Sequence, residues 1–127
     1  MKIVSPDQMK MMDRRAVEEG YFSSLRLMQN AAEGLYRSIS ALMEERGYSR
    51  VLLLAGGGNN GGDAYALACL LHPLYQPSIL QVDAPKSADC IYYAERCKEL
   101  GIPLVSEPFG YDLVIDGVFG TGLRGEL

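Results

Sequence analysis

Two asparagines and an aspartate in a glycine-rich stretch are the residues of this chain best suited to binding chemistry. Asn59, Asn60 and Asp63 lie in Val51–Asp63, VLLLAGGGNNGGD, where an apolar run leads into glycines. Glycines permit a tight turn and close approach of a ligand to the backbone, and a helix that follows presents free N–H groups and a positive dipole end. The pattern predicts a site for a phosphate. Asp63 could bond ribose hydroxyl groups, although capping of the helix explains its carboxylate nearly as well.

A second glycine-rich loop, Gly117–Glu126 (GVFGTGLRGE), follows the stretch Asp112–Asp116 (DLVID). In a parallel sheet, ligands bind at the carboxyl ends of the strands, close to the point where the strand order reverses. Two such loops at one sheet edge predict a single phosphate-bearing ligand held between them. For either loop alone, a tight turn without a ligand is an equally good interpretation.

The first loop also satisfies the dinucleotide-binding pattern G-x-G-x-x-G from Gly56 to Gly61. Asp83 follows the next apolar run, close to where the ribose-binding acid of a dehydrogenase would lie. These residues give a first hypothesis, a conventional Rossmann NAD-binding domain of a dehydrogenase. The motif is weak when it occurs alone, and it does not account for the second loop.

The elements that must position these loops alternate between strands and helices, which predicts a parallel sheet with helical crossovers. We expect a single α/β domain over residues 1–127, a three-layer α-β-α Rossmann-like fold preceded by two N-terminal helices. The first helix is predicted from Ser5 to about Gly20 and the second from Ser23 or Ser24 to about Arg46. The predicted strands are Val51–Ala55, Ser78–Val82, Ile102–Val105 and Asp112–Asp116, with helices over about Gly62–Leu71 and Ser87–Leu100.

One connection fits this plan badly. Only Ser106–Tyr111 separates the third and fourth predicted strands, whereas a helical crossover takes about a dozen residues or more. Either Ile102–Val105 is an irregular edge segment, or an extended link crosses one end of the sheet.

Composition excludes several classes of protein. With 127 residues, a net charge of −4 and a pI near 4.9, the chain lacks the basic surface of a nucleic-acid-binding protein. It has no apolar run of transmembrane length, and Met1–Lys10 lacks the apolar core of a signal peptide, so we expect a cytoplasmic protein without membrane contact. Cys69, Cys90 and Cys97 lack metal-type spacing and are interpreted as reduced packing residues.

The paired loops, NNGGD and DLVIDGVFGTGLRGE, resemble the YjeF N-terminal domain family, the NAD(P)HX epimerases. The N-terminal stretches IVSPDQMKMMDRRAVEEG and SSLRLMQNAA are similar to the helical signature of that family, so the resemblance covers nearly the whole chain. It implies an isomerase that interconverts the R and S forms of hydrated NADH and NADPH. A partner dehydratase, fused or separate, would then regenerate the cofactor from the S form. Family members are often dimers, which makes a homodimer a further expectation.

The resemblance also implies roles for particular residues. NAD(P)HX would be bound by two groups of residues, one in each loop: Asn59, Asn60, Gly61, Gly62 and Asp63, and Gly120, Thr121, Gly122, Leu123, Arg124, Gly125 and Glu126. Asn60 and Asp116 would hold one potassium ion per subunit, and their oxygens are hard donors suited to such an ion.

The chain departs from the family at its end. Family domains continue into a strand with an Asp-x-Pro-Ser-Gly motif, which supplies the catalytic aspartate and a further potassium ligand, and no such motif occurs up to Leu127. The domain is therefore interpreted as incomplete at its C-terminus, and its catalytic residues are unknown. A non-catalytic YjeF-like nucleotide-binding or scaffold module is the alternative. The choice between NADHX and NADPHX is left open.

Overall fold

The structure, a computed structural model, describes residues 14–118, with side chains described from Ser24 onward. The described elements are helix α1 (Arg14–Arg46), strand β1 (Arg50–Ala55), helix α2 (Asn59–Leu71), strand β2 (Gln76–Gln81), helix α3 (Ala88–Glu99) and strand β3 (Leu113–Gly117). Strands and helices alternate as predicted from Arg50 to Glu99. Within this part of the chain, no helix combines the length and the hydropathy that crossing a membrane requires.

The sheet is parallel and has the strand order β2-β1-β3. Its central strand, β1, pairs with β2 on one side, where Leu53 lies opposite Ile79. On the other side β1 pairs with β3, where Leu53 lies opposite Ile115. Four of the five apolar residues of β1 are buried and Leu54 is half-buried, because neighbours cover the strand on both sides, as the uninterrupted apolar run predicts.

The helices of the described part pack together on one face of this sheet. Helix α2 contacts all of the strands, while α1 and α3 pack against α2. Alternate residues of β1, namely Val51, Leu53 and Ala55, point into this shared core. The described residues therefore form two of the three predicted layers, and they confirm the α/β class with a parallel, Rossmann-like sheet.

Three predicted helix boundaries are wrong. The helix end predicted near Gly20 and the helix start predicted at Ser23 or Ser24 do not occur, because α1 is continuous from Arg14 to Arg46. The predicted start at Ser5 lies outside the described residues. A single glycine within a helix costs only about 1 kcal/mol, which packing along a long helix can offset. Helix α2 begins at Asn59 rather than at Gly61 or Gly62, so both asparagines lie in its first turn.

The segment predicted as a third strand is an irregular edge segment. It forms one isolated parallel bridge, Leu104 with Ile79, in which the Ile79 N–H donates to the Pro103 carbonyl at 2.9 Å. The chain then passes the start of β1 to reach β3. There the Asp112 carboxylate accepts hydrogen bonds from the Ser49 and Arg50 N–H groups at 2.9 and 3.0 Å. Both predicted alternatives are thus partly right, because residues 102–105 are an irregular edge segment and an extended link then crosses one end of the sheet.

Helix α3 begins and ends as its sequence predicts. The Ser87 hydroxyl accepts a hydrogen bond from the Cys90 N–H at 3.2 Å and caps the helix. Gly101, with a φ of 77°, lies just beyond the helix in a backbone conformation that favours glycine. The start of α3 lies beside the start of α2, where a Cβ atom on Gly62 would be 3.4 Å from the Cys90 Cα atom.

Candidate functional site

The two glycine-rich loops begin side by side, as the sequence predicts. The Gly56 N–H donates to the Gly117 carbonyl at 3.3 Å, immediately after the paired ends of β1 and β3. The chain leaves β1 towards β2 and returns to β3 on the opposite side, so this is the point where the strand order reverses. Ligands of open α/β sheets bind in the crevice at this point.

The first loop requires glycine for steric reasons. A Cβ atom on Gly61 would lie 1.9 Å from the Gly56 carbonyl oxygen, and one on Gly57 would lie 2.5 Å from the Ala84 carbonyl oxygen. Real Cβ contacts are never this short, so the turn can form only if these positions lack side chains. The glycines thus hold the turn tightly between β1, α2 and the segment that follows β2.

The start of α2 presents free backbone donors. Gly58 caps the helix without a side-chain hydrogen bond, and the first bond along the helix is donated by Gly62 to the Gly58 carbonyl at 3.1 Å. The N–H groups of Asn59, Asn60 and Gly61 have no acceptor among the described residues. A helix start of this kind attracts an anion through both its N–H groups and its dipole.

A cleft of about 190 Å³ opens beside this helix start. Asn59 and Asp63 line one wall, and the other walls come from α1 and from the first turn of α3. The full lining is Ser24, Leu27, Met28, Ala31, Asn59, Asp63 and Asp89. Two of the predicted binding residues therefore share one cleft of mixed polar and apolar lining.

Asp63 faces the cleft and does not cap the helix. It is the fifth residue of α2, whose cap is Gly58, so the alternative role of a capping carboxylate is wrong. Burial raises the pKa of the Asp63 carboxyl above its ordinary value. Partial burial disfavours the charged form of this carboxylate, and hydrogen bonds donated by ligand hydroxyl groups would offset that cost.

The sequence did not identify two polar residues of the cleft. Asp89 is 7% exposed, and its carboxylate accepts a hydrogen bond from the Ser24 hydroxyl across 65 positions of the chain. An aspartate in the first turn of a helix usually interacts only with the helix dipole, so nothing in the sequence distinguished Asp89. The bond fixes α1 and α3 to each other at the cleft.

The predicted potassium ligands both lie at the carboxyl edge of the sheet. Asn60 is half-buried in the first turn of α2. Asp116, near the end of β3, is also half-buried, and its Oδ1 atom accepts a hydrogen bond from the Val118 N–H at 2.8 Å. Its Oδ2 atom has no hydrogen-bond partner among the described residues, so it remains available as a ligand for a cation.

The residues predicted for the second half of the cradle, Gly120 to Glu126, lie outside the described residues. Of the second loop, the structure describes Gly117 and Val118. Asp83, the acid of the dehydrogenase hypothesis, is exposed in the segment after β2.

The fold and the cleft define this chain as a Rossmann-like α/β protein with the kind of crevice in which such proteins bind nucleotides. Residues 24–127 match the family described as YjeF-related protein N-terminus. The chain belongs to this family, and the resemblance seen in its two loops is confirmed.

Curated relatives carry names from nicotinamide-cofactor repair. The chain is 32% identical to an NAD(P)H-hydrate epimerase of Neurospora crassa, over 100% of this chain and 56% of that protein. It is also 32% identical to an NAD(P)H-hydrate epimerase of Limosilactobacillus fermentum, over 94% of this chain and 60% of that protein. A bifunctional NAD(P)H-hydrate repair enzyme of Helicobacter pylori is 32% identical over 95% of this chain and 27% of its own length. The chain thus spans little more than half the length of these epimerases.

Among solved structures, the chain is similar to the crystal structure of yeast ynu0. The TM-score is 0.63 with 21% sequence identity, over 75% of this chain and 46% of the yeast chain. This similarity supports the fold alone.

Proposed function

We propose that this domain takes part in epimerising the R and S forms of hydrated NADH and NADPH, so that the hydrated cofactors can be repaired. Family membership and the names of the relatives support this reaction. The observation that carries the proposal to this chain is the juxtaposition of the two loops, with Asn59 and Asp63 in the cleft beside them.

In the proposed complex, the start of α2 binds the pyrophosphate or another anionic part of the substrate. The N–H groups of Asn59, Asn60 and Gly61 supply donors and the dipole supplies positive potential. The Asp63 carboxylate accepts hydrogen bonds from hydroxyl groups, and residues 120–126 close the other side of the cradle. Arg124 would add a positive charge there.

Epimerisation requires proton exchange around the hydroxyl-bearing carbon C6, either by ring opening or by loss and return of water. Such exchange needs a side chain that gives or takes a proton within hydrogen-bond reach of the reacting group. We assign no residue of this chain to that role. The contribution proposed for the described residues is to bind and orient the substrate.

A potassium ion is the cofactor proposed for the site, held in part by Asn60 and Asp116. The residues fit the ion, because an amide oxygen and a carboxylate are hard donors and Asp116 Oδ2 has no partner among the described residues. When bound, the ion would offset negative charge close to the pyrophosphate. The remaining expectations, a dehydratase as functional partner, a cytoplasmic location and a homodimer, stay predictions.

The experiment that tests the reaction starts from the pure R epimer of NADHX. The full-length protein is added, and formation of the S epimer is followed by chromatography against the spontaneous rate. We expect a marked acceleration with NADHX, NADPHX or both. No acceleration would refute the epimerase proposal, and binding without acceleration would favour the non-catalytic module.

A second experiment tests the potassium site. Binding of NADHX to the wild type and to Asp116→Ala is measured by calorimetry, in potassium buffer and in sodium buffer. We expect the dependence on potassium to disappear in this variant and to persist in the control Asp83→Ala, which removes an exposed carboxylate after β2. If Asp116→Ala keeps the full potassium dependence, the metal assignment is wrong.

A further inference from the structure

Two cysteines from neighbouring helices lie against each other on the side of the helical layer. Cys69 belongs to α2 and Cys97 to α3, and their Sγ atoms are 3.5 Å apart. A disulfide bond is about 2.05 Å long, so the two sulfurs need to approach by only about 1.5 Å to bond. Cys97 is held in place, because its thiol also donates to the Tyr65 carbonyl at 3.2 Å.

The two thiols differ in their access to solvent. Cys69 is half-buried and lines an open groove of about 350 Å³, together with Gln29, Tyr92 and Arg96. Cys97 is only 2% exposed, although it lines a separate cavity of about 410 Å³ with Gln81 and Leu104. A small polar oxidant can therefore reach Cys69 more readily than Cys97, whose sulfur lies in contact with that of Cys69.

The electrostatic surroundings favour the same division of roles. The contact with Cys97 and the positive charge of Arg96 lower the pKa of the Cys69 thiol, although burial and the carboxylate of Glu99, which pairs with Arg96, oppose them. The contact with Cys69 and burial raise the pKa of the Cys97 thiol. Cys69 is therefore the member of the pair that more readily forms the nucleophilic thiolate.

From this geometry we propose that Cys69 and Cys97 form a peroxide-responsive modification site, in which Cys69 is oxidised first and Cys97 resolves the product. The Cys69 thiolate attacks hydrogen peroxide, the O–O bond breaks, and Cys69 becomes a sulfenic acid while hydroxide leaves and takes up the proton lost from Cys69. The Cys97 sulfur then displaces the hydroxyl group from Cys69, which leaves with the Cys97 proton as water. Two thiols become one disulfide, and one peroxide becomes two waters.

The disulfide would join α2 to α3, the helices whose N-terminal ends carry Asp63 and Asp89 to the cleft. Because the sulfurs are already close, the bond forms with small movements and leaves the fold intact. Thiols of an added reductant can reach the Cys69 sulfur through the same groove, so the modification is reversible. The inference does not rest on the proposed epimerase reaction.

Mass spectrometry tests the inference well, because trypsin places each cysteine in a different peptide. Cys69 lies in residues 51–86, Cys90 in residues 87–96 and Cys97 in residues 97–98. The full-length protein is treated with hydrogen peroxide, alkylated and digested. We expect a monomer whose intact mass falls by about 2 Da, a cross-linked peptide joining Cys69 to Cys97, and recovery of both thiols with a reductant.

Three variants distinguish this site from general oxidation. Cys69→Ser should abolish the cross-link and leave Cys97 largely unmodified. Cys97→Ala should let Cys69 gain oxygen atoms instead of losing hydrogen. Cys90→Ala, which removes a fully buried thiol outside the pair, should keep the cross-link.

Circular dichroism of each variant shows whether it is folded before oxidation. Wild-type protein that gains oxygen at Cys69 without forming the cross-link would overturn the proposal. So would disulfides formed only between molecules, or a 2 Da loss that persists in Cys69→Ser.

Discussion

Replacing Gly61 by alanine tests the steric basis of the glycine-rich turn. The new methyl group would lie 1.9 Å from the Gly56 carbonyl oxygen and 2.7 Å from its carbon. Both atoms belong to the backbone, so no side chain can rotate to make room. The turn after β1 and the first turn of α2 must move apart, and this displaces the N–H groups that we assign to the substrate.

The size of the effect follows from two opposing terms. In a helix, alanine is favoured over glycine by about 1 kcal/mol, so an unobstructed replacement would stabilise the protein. Overpacking in a tight site costs about 1–3 kcal/mol and sometimes more, and a clash with backbone lies at the upper end. We therefore expect Gly61→Ala to lower the free energy of unfolding by about 2 kcal/mol.

The assay is urea unfolding followed by far-ultraviolet circular dichroism, since the chain has no tryptophan. Gly58→Ala is the matched control, because a Cβ at Gly58 has no atom within 4 Å and its φ of −96° suits any residue. The control should change the free energy of unfolding by only about 0.5 kcal/mol. If Gly61→Ala is as stable as Gly58→Ala, the proposed steric constraint is wrong.

Three further substitutions test other contacts, each by the same unfolding assay. Ser87→Ala removes the α3 cap and should cost about 1 kcal/mol, while Ser106→Ala on the exposed link should cost almost nothing; equal losses would show that the cap is unimportant. The Arg50 and Ser49 N–H groups lower the pKa of Asp112 below its ordinary value of 3.8. The Asp112 carboxylate therefore stabilises the fold above pH 3.8, and this stabilisation is lost as the pH falls through the native pKa. Asp112→Asn should accordingly be less stable than the wild type at neutral pH and equally stable in acid, and a difference independent of pH would contradict this. Burial raises the pKa of Asp63 above its ordinary value of 3.8. Protonation of this carboxyl group therefore stabilises the fold below pH 3.8, and this stabilisation is lost as the pH rises through the native pKa. Asp63→Asn should therefore be more stable than the wild type at neutral pH, with the gain shrinking in acid.

The sequence was sufficient to predict the alternation of strands and helices and the meeting of the two loops. The uninterrupted apolar run of β1 predicts a buried parallel strand, and parallel strands bring the loops that follow them to one edge. Ser87 and Gly101 marked the ends of α3 because capping is a local property. The cap of α3 and the sheet edge at which the two loops begin are therefore confirmed predictions.

Predictions failed where distant contacts decide the outcome. Glycine is a poor helix former, so the sequence pattern places the start of α2 after Asn60. In the fold the helix starts at Asn59 and contains both Gly61 and Gly62 in its first turn. Glycine is required at position 61 because a side chain there would meet Gly56. The bond between Ser24 and Asp89 joins residues 65 positions apart and depends on how α1 and α3 pack. No local pattern contains that information.

The central claim, that the cleft beside the glycine-rich turn binds hydrated nicotinamide cofactors for epimerisation, is tested most directly with Asp63→Asn in the full-length protein. The substitution keeps the shape of the side chain and removes the charge that would accept hydrogen bonds from the substrate. The measurement is the rate of conversion of the R epimer of NADHX to the S epimer, in wild type and variant, at equal concentrations of folded protein. A hydrogen bond to a charged group contributes about 1.5–3 kcal/mol, so its loss predicts a rate roughly 10- to 160-fold lower at limiting substrate. An undiminished rate in this variant would contradict the assignment of the cleft.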